Sequence, residues 1–318
     1  MKRDRHGLTR RDTSALEVAK LYYERGLTQQ EVADSLHIAR PTVSKLLTHA
    51  KDRGFVQVAV VDPRENDQQL TEQLKQKYRL AEVRLVTVAG RGPMDLRHAL
   101  GRTAAHLLEE LVREGDTVGI SWSNTVAEVA AALTPQPVAG VKIVQLRGDV
   151  PGNAKARQIA TTYRQFADAF DAPAHMFHAP SVFATFEEKQ TKVAEVSVGE
   201  IIRLGIDSRI AVYSVGSTDN GSVLFSSDCL SPSEKEFLLA NSVGDICSRY
   251  LNERGQICNP ELNGRTLGIS LPDLRHKEQK VLVAGGPEKL AAIHVAASYG
   301  YANRLVTDVQ TAQRLLTL

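Results

Sequence analysis

Residues 28–47 read TQQEVADSLHIARPTVSKLL. Thr28 stands three residues before Glu31, the spacing of a capping box, so a helix opens at Gln29 with Val32, Ala33 and Leu36 facing inward. That helix is short. After His37-Ile38, Pro41 suits the first turn of a further helix whose Val43, Leu46, Leu47 and Ala50 form a buried stripe, with Gly54 as its stop. Upstream, Ala15, Val18, Ala19 and Tyr22 recur at three and four residues, predicting an amphipathic helix from Ser14 to the neighbourhood of Arg25-Gly26. Downstream, FVQVAVV (55–61) is β-branched and alternating, which predicts a strand. Helix, short helix, turn, helix and strand is the layout of a winged helix-turn-helix. Its apolar positions cross two helices so that the N-terminal end of the third projects into a major groove. Arg40 is the expected base reader, because its fork pairs with guanine. Thr42, Ser44 and Lys45 are expected on phosphates beside Pro41, and Gln29 and Gln30 as a clamp on the backbone.

Charge agrees with that placement. The 318 residues carry 39 Lys+Arg and 37 Asp+Glu, but residues 1–61 hold 11 against 7 while residues 62–318 hold 28 against 30. A basic head on a near-neutral body points to nucleic acid at one end. Cys229, Cys247 and Cys258 are too unevenly spaced for a disulfide framework or a zinc site, and His175 and His178 match no metal-binding motif. The charged N-terminus precedes no signal-like apolar core, and no run of about 18 apolar residues occurs, so a cytoplasmic protein without a membrane partner is expected. No cofactor is expected.

The expected organisation is a DNA-binding domain at 1–61, a linker helix at 62–79 and a larger α/β domain at 80–318. The linker places Leu70, Leu74 and Tyr78 on one face, either packing on the body or forming a dimerising seam. Beyond Leu80 the chain alternates strand-like and helix-like segments: AEVRLVTV, DLRHALGRTAAHLLEELV, DTVGISWS, TVAEVAAAL, VKIVQLRG, RIAVYSVGS, a helix through EKEFLLANSVGDICSRYLN, KVLVAGG, EKLAAIHVAASYG, RLVTDV and TAQRLL. Repeated βα units with buried Val/Ile runs predict an open, largely parallel sheet that binds ligand beyond the carboxyl ends of its strands.

Four turns there carry chemistry. Ser121, Ser123, Asn124 and Thr125 would set hydroxyls, an amide and open backbone N–H groups at a helix start, suiting a phosphate or a polyol, with plain N-capping as the alternative. QLRGD (145–149) offers Gln145, Arg147 and Asp149. VGSTDNG (215–221) reads as a flexible polar loop containing Gly216. AGGPEK (284–289) places Lys289 in the first turn of a helix, against the dipole, as an anion would demand. Asp245, in GDIC, could accept ligand hydroxyls.

The strings LYYERGLTQQEVADSLHIARPTVSKLL, DTVGISWSNT, VKIVQLRGD, SVGDICSRYLNERGQI and VLVAGGPEKLAAIHVAASYGYANRLVTD together resemble the SorC family of bacterial sugar-responsive transcription regulators, nearly end to end. The resemblance implies a winged helix-turn-helix joined to an effector domain of the sugar-phosphate isomerase/CoA-transferase-like α/β type, assembled as homodimers or homotetramers. It further implies that a phosphorylated sugar alters operator DNA binding. It carries a phosphate-loop role to Ser121–Thr125, sugar contacts to Gln145, Gly216 and Asp245, and an anion-binding role to Lys289. In the subgroup most similar to this chain, the implied effector is deoxyribose 5-phosphate and the implied targets are deoxynucleoside catabolic genes. This chain departs from that subgroup in reading QLRGD for QLKGG and SWSNT for SWGTT. A lysine could form an imine with an aldose, but the permanently protonated Arg147 cannot. The expectation is an effector-controlled repressor, with a sugar-phosphate isomerase-like enzyme carrying a DNA-binding head as the alternative.

Overall fold

The computed structural model describes residues 8–56, 63–88, 92–150, 152–219, 222, 225 and 230–318. The chain forms two compact units, Met1–Pro63 and Arg64–Leu318.

In the first unit three helices enclose one small apolar core: α1 (Arg10–Ala19, continued by a π turn over Lys20–Glu24), α2 (Gln29–Ser35) and α3 (Arg40–Asp52). Ala15, Val18, Val32, Ala33, Val43, Leu46, Leu47 and Ala50 are buried together. The capping box at Thr28 and Glu31 is present, and Pro41 sits in the first turn of α3. The first helix starts four residues before Ser14, because Thr9 and Asp12 make a second capping box that apolar periodicity does not register. The same Asp12 carboxylate accepts from His49 Nε2 at 2.8 Å and Arg53 Nε at 3.1 Å, tying α1 to α3. The strand expected over 55–61, and with it the wing, falls outside the described residues beyond Val56.

The second unit opens with α4 (Pro63–Tyr78), followed by β1 (Glu82–Val86), α5 (Pro93–Leu111), β2 (Thr117–Ile120), α6 (Asn124–Ala132), β3 (Lys142–Gln145), α7 (Asn153–Phe170), β4 (Ala174–His175), α8 (Phe186–Val193) and α9 (Val196–Asp207). Then come β5 (Ile210–Tyr213), β6 (Val215–Gly216), α10 (Pro232–Asn241), β7 (Gly244–Ile246), β8 (Arg249–Leu251), α11 (Pro260–Gly264) and α12 (Leu271–Arg275). It closes with β9 (Gln279–Val283), α13 (Leu290–Ser298), β10 (Arg304–Asp308) and α14 (Val309–Thr317). Seven strands form a wholly parallel sheet in the order β1-β10-β9-β5-β2-β3-β4.

The Val/Ile runs follow from burial on both faces. Along β5, Ile210 and Val212 enter one apolar cluster while Ala211 and Tyr213 enter the other, and β9 divides Val281 and Val283 from Leu282 in the same way. A strand with period 2 and no solvent face must be apolar at every position. Leu70, Leu74 and Tyr78 of α4 belong to the cluster that α13 and α14 also enter, so this helix packs on the body and the apolar stripe is used there.

From β2 the chain runs outward through β3 to β4, then returns to place β5 on the other side of β2. The crevice between the ends of β2 and β5 is therefore a topological switch point, where open α/β sheets bind ligands.

Two segments differ from expectation. The helix predicted across 234–252 stops at Asn241, and residues 244–251 instead form the β7–β8 hairpin, which with β6 makes a small antiparallel sheet. Gly244 lies at φ 147°, and the turn residues Cys247 and Ser248 both have positive φ, as a tight two-residue hairpin loop demands. The apolar spacing in VGDICSRYL mimics a helix because both hairpin strands are buried. The expected polar loop at 215–221 accordingly begins as a strand, with Gly216 paired to Asp245.

Candidate functional site

The first unit presents its candidate residues together. Arg40, Pro41, Thr42, Ser44 and Lys45 are all exposed on the first turns of α3, and Gln30 is exposed on α2 with Gln29 half-buried beside it. Ala39 makes no side-chain cap; Pro41 carries no N–H and the Thr42 N–H donates to Ala39 O at 2.8 Å, so the start of α3 is satisfied by its own backbone. The Gln30 amide donates to Asp34 within α2 at 2.9 Å.

In the second unit, a cavity of about 290 Å³ sits at the switch point. Ser121, Ser123, Asn124 and Thr125 line it from the end of β2, Gly216 from β6, Asp245 from β7, Lys289 from the loop after β9, and Arg147 from the end of β3. Eight of the nine effector candidates therefore share one wall-to-wall space. Gln145 does not line it: its amide donates to Asp149 Oδ1 at 2.7 Å and accepts from the Phe177 N–H at 2.8 Å, so it fastens β3 to the chain after β4.

Each lining group is held by local structure. The end of β2 is fixed by Tyr163, whose hydroxyl donates to Ile120 O at 2.6 Å, and by Trp122, which donates to Thr162 Oγ1. Ser123 does cap α6, its Oγ accepting from Val126 N at 3.1 Å, which leaves the N–H groups of Asn124 and Thr125 without intrahelical acceptors. Asp245 is 5% exposed and accepts from the Ser248 N–H at 2.9 Å. Burial raises its carboxyl above the ordinary range, opposed by the nearby charges of Arg147 and Lys289. Gly216 exists to admit it, since a Cβ there would meet Asp245 Oδ1 at 2.0 Å.

Arg147 is 7% exposed, donates from Nη1 to Ser248 Oγ at 3.0 Å, and has no hydrogen-bond partner at Nε among the described residues. Lys289 ends a 3₁₀ turn, Pro287–Lys289, and caps α13 rather than lying inside its first turn. Its amine donates to Ser214 Oγ at a long 3.4 Å, and burial lowers its affinity for the proton while Glu288 and Asp245 oppose that shift.

Several lining residues carry no sequence signal of their own. Arg97 and Leu100 come from the interior of α5, and Ser214 and Ser217 flank a two-residue strand. Cys247 lines the cavity from the hairpin turn, with its thiol pushed up to about 11 by burial and drawn down by Ser121. Asp308, outside the cavity, accepts from the Gly286 N–H at 3.1 Å and so holds the Gly285-Gly286 turn. A larger cavity of about 700 Å³ adjoins at the ends of β1 and β10, sharing Pro93, Leu96 and Glu288 with the first. Among the described residues no cluster suits a metal ion and no helix is long and apolar enough to cross a membrane.

A helix-turn-helix unit in one chain with an α/β unit that gathers cations and hydroxyls in a switch-point cavity defines the class of ligand-responsive DNA-binding regulators. Comparison with known proteins narrows the class. The sugar-binding domain model Sugar-bind matches residues 62–317. The chain is 38% identical to the deoxyribonucleoside regulator of Bacillus subtilis (strain 168), across 95% of this chain and 96% of that protein. It is 28% identical to the sorbitol operon regulator of Klebsiella pneumoniae, across 95% and 96%. The crystal structure of full-length SorC from that organism superimposes with a TM-score of 0.73 at 27% identity, covering 96% of this chain and 98% of SorC. The chain belongs to the SorC family of transcriptional regulators. It is a transcriptional regulator with a sugar-binding effector domain.

Proposed function

We propose that the chain is a repressor whose operator affinity is set by a phosphorylated sugar in the switch-point cavity. The observation that carries this reading is the convergence of the open α6 N-terminus, Lys289 and the buried Arg147 around Asp245 in one space of about 290 Å³. The N–H groups of Asn124 and Thr125, with Lys289, receive the phosphate; Asp245 accepts sugar hydroxyls; Arg147 binds a further ligand oxygen. A relative named for deoxyribonucleosides makes deoxyribose 5-phosphate the first effector to try, and one named for sorbitol makes sugar alcohol phosphates the second. Arg40 reads the operator from a homodimer or homotetramer, and ligand acts by favouring an arrangement that fits the half-sites poorly.

The protein binds its effector without turning it over. Mobility-shift titrations on its own upstream DNA, with and without these phosphates, test the reading, and an affinity indifferent to all of them sinks it. Multiple turnovers on pentose or hexose phosphates would establish the enzyme alternative.

A further inference from the structure

We propose that the loop 284–289, with the helices α13 and α14 it fastens, forms the device that reports occupancy of the cavity to α4, and that the Tyr78–His294 contact is where the report arrives. The proposal rests on the cavity being an effector site, and it adds the route out of it.

Three observations link the parts. The loop contributes Gly285, Glu288 and Lys289 to the cavity and runs directly into α13 through the Pro287–Lys289 turn. The same loop is bolted to the start of α14, because the Gly286 N–H donates to Asp308 Oδ2 at 3.1 Å and to Thr311 Oγ1 at 2.9 Å. Packed against these two helices lies α4, the segment that follows the helix-turn-helix unit in the chain. Its Leu70, Leu74 and Tyr78 pack in one cluster with residues of α13 and α14, including Ile293 and Leu315.

Polar contacts fasten the C-terminal end of α4 to both helices at once. The Tyr78 hydroxyl donates to Leu315 O at 2.8 Å and meets His294 Nδ1 at 2.9 Å, while Lys77 Nζ donates to Leu315 O at 3.0 Å and Leu316 O at 3.1 Å. A phenol has one proton, so with that proton on Leu315 O the imidazole must donate from Nδ1. A relative shift of α13 and α14 cannot keep both Tyr78 contacts, which makes this residue sensitive to their register.

A ligand shifts an equilibrium only through interactions that differ between the two states. Lys289 supplies one. Its amine is held by a single long hydrogen bond among the described residues, so an arriving anion draws it without breaking a strong contact. The 3₁₀ turn beneath it is the poorer of the helical geometries and the part of α13 with least to lose by re-forming. Close-packed helices pass such a movement on as a shift between discrete packings rather than absorbing it.

Tyr78→Phe removes both polar contacts and keeps the ring. With deoxyribose 5-phosphate and sorbitol 6-phosphate as probes, the variant is expected to keep the wild-type thermal shift and the ligand-free DNA affinity. The effect of the probe on DNA affinity should fall by about 5-fold or more, the size of an ordinary allosteric coupling. His294→Asn is expected to do the same in weaker form. A second readout needs neither DNA nor a ligand: Lys289→Ala should alter amide hydrogen exchange across residues 70–78 in the Tyr78 protein, and the alteration should vanish in the Tyr78→Phe background. Wild-type DNA regulation in Tyr78→Phe, or exchange in α4 indifferent to Lys289→Ala, overturns the route. Absence of any thermal shift in the wild-type protein speaks instead against the effector reading, and the exchange experiment still decides the coupling.

Discussion

Asp245 and Lys289 illustrate what burial does to single residues. Removing water from a carboxylate disfavours its charge, so Asp245, raised by burial, costs the fold stability whenever it carries that charge. Asp245→Asn is expected to raise the melting temperature of the ligand-free protein while weakening sugar-phosphate binding, and calorimetry with a parallel titration reads both. Lys289→Ala should weaken the phosphate ligand about 10-fold or more, the worth of a charged hydrogen bond, as isothermal titration reads directly. Arg40→Ala should cost about 1 to 3 kcal/mol on the operator; an equal loss on random DNA would make Arg40 a phosphate contact. Lys289 is legible in sequence because it follows a strand end and the Gly285-Gly286 pair, whereas Asp245 reads as a helical carboxylate and reaches the cavity only through the β7–β8 hairpin. Gln145 stands at a strand end too but does not line the cavity, since its amide finds partners in Asp149 and the Phe177 backbone that no local pattern predicts.

At the scale of elements, capping decides where helices begin. Thr28→Ala removes one arm of the α2 capping box and is expected to cost about 1 kcal/mol in denaturant unfolding of the first unit. Asp12 does more, because its carboxylate serves the α1 cap and also His49 and Arg53 on α3. Bonds from Thr9, backbone first and then hydroxyl, with one from His49, hold its pKa well below the usual carboxylate value. The resulting stabilisation is complete above the unfolded value of roughly 4 and is lost as pH falls from there toward the native value. Circular dichroism melts of the wild type and Asp12→Asn between neutral and acid pH should therefore converge at the acid end. The β7–β8 hairpin makes the opposite demand, for backbone freedom. A Cβ on Gly244 would meet Gly216 O at 2.3 Å, so Gly244→Ala should destabilise the second unit by more than about 1 kcal/mol and carry Asp245 out of place. Helical spacing concealed this hairpin, because alternation vanishes wherever both faces of a strand are covered.

The whole molecule joins a small helical unit to a larger α/β unit. A ligand bound to the native second unit stabilises it by mass action, about 2.7 kcal/mol at a hundredfold excess over Kd. Differential scanning calorimetry should thus show a saturating sugar phosphate shifting the transition of the α/β unit, and a shift confined to the helix-turn-helix unit would contradict the site. The sequence by itself determined the two kinds of architecture, the helix-turn-helix with its exposed reading turn, and the parallel sheet whose strand ends carry the polar residues. These rest on local periodicity, capping and turn chemistry, which act over a few residues and so leave a mark in the order of side chains. Only the tertiary structure decided that the ends of β2 and β5 form the crevice, that Asp245 arrives on a hairpin instead of a helix, and that Tyr78 meets His294. Strand order and hairpin pairing join residues far apart in the chain, and the energy that selects them comes from burial shared across the core, which no single stretch of sequence contains.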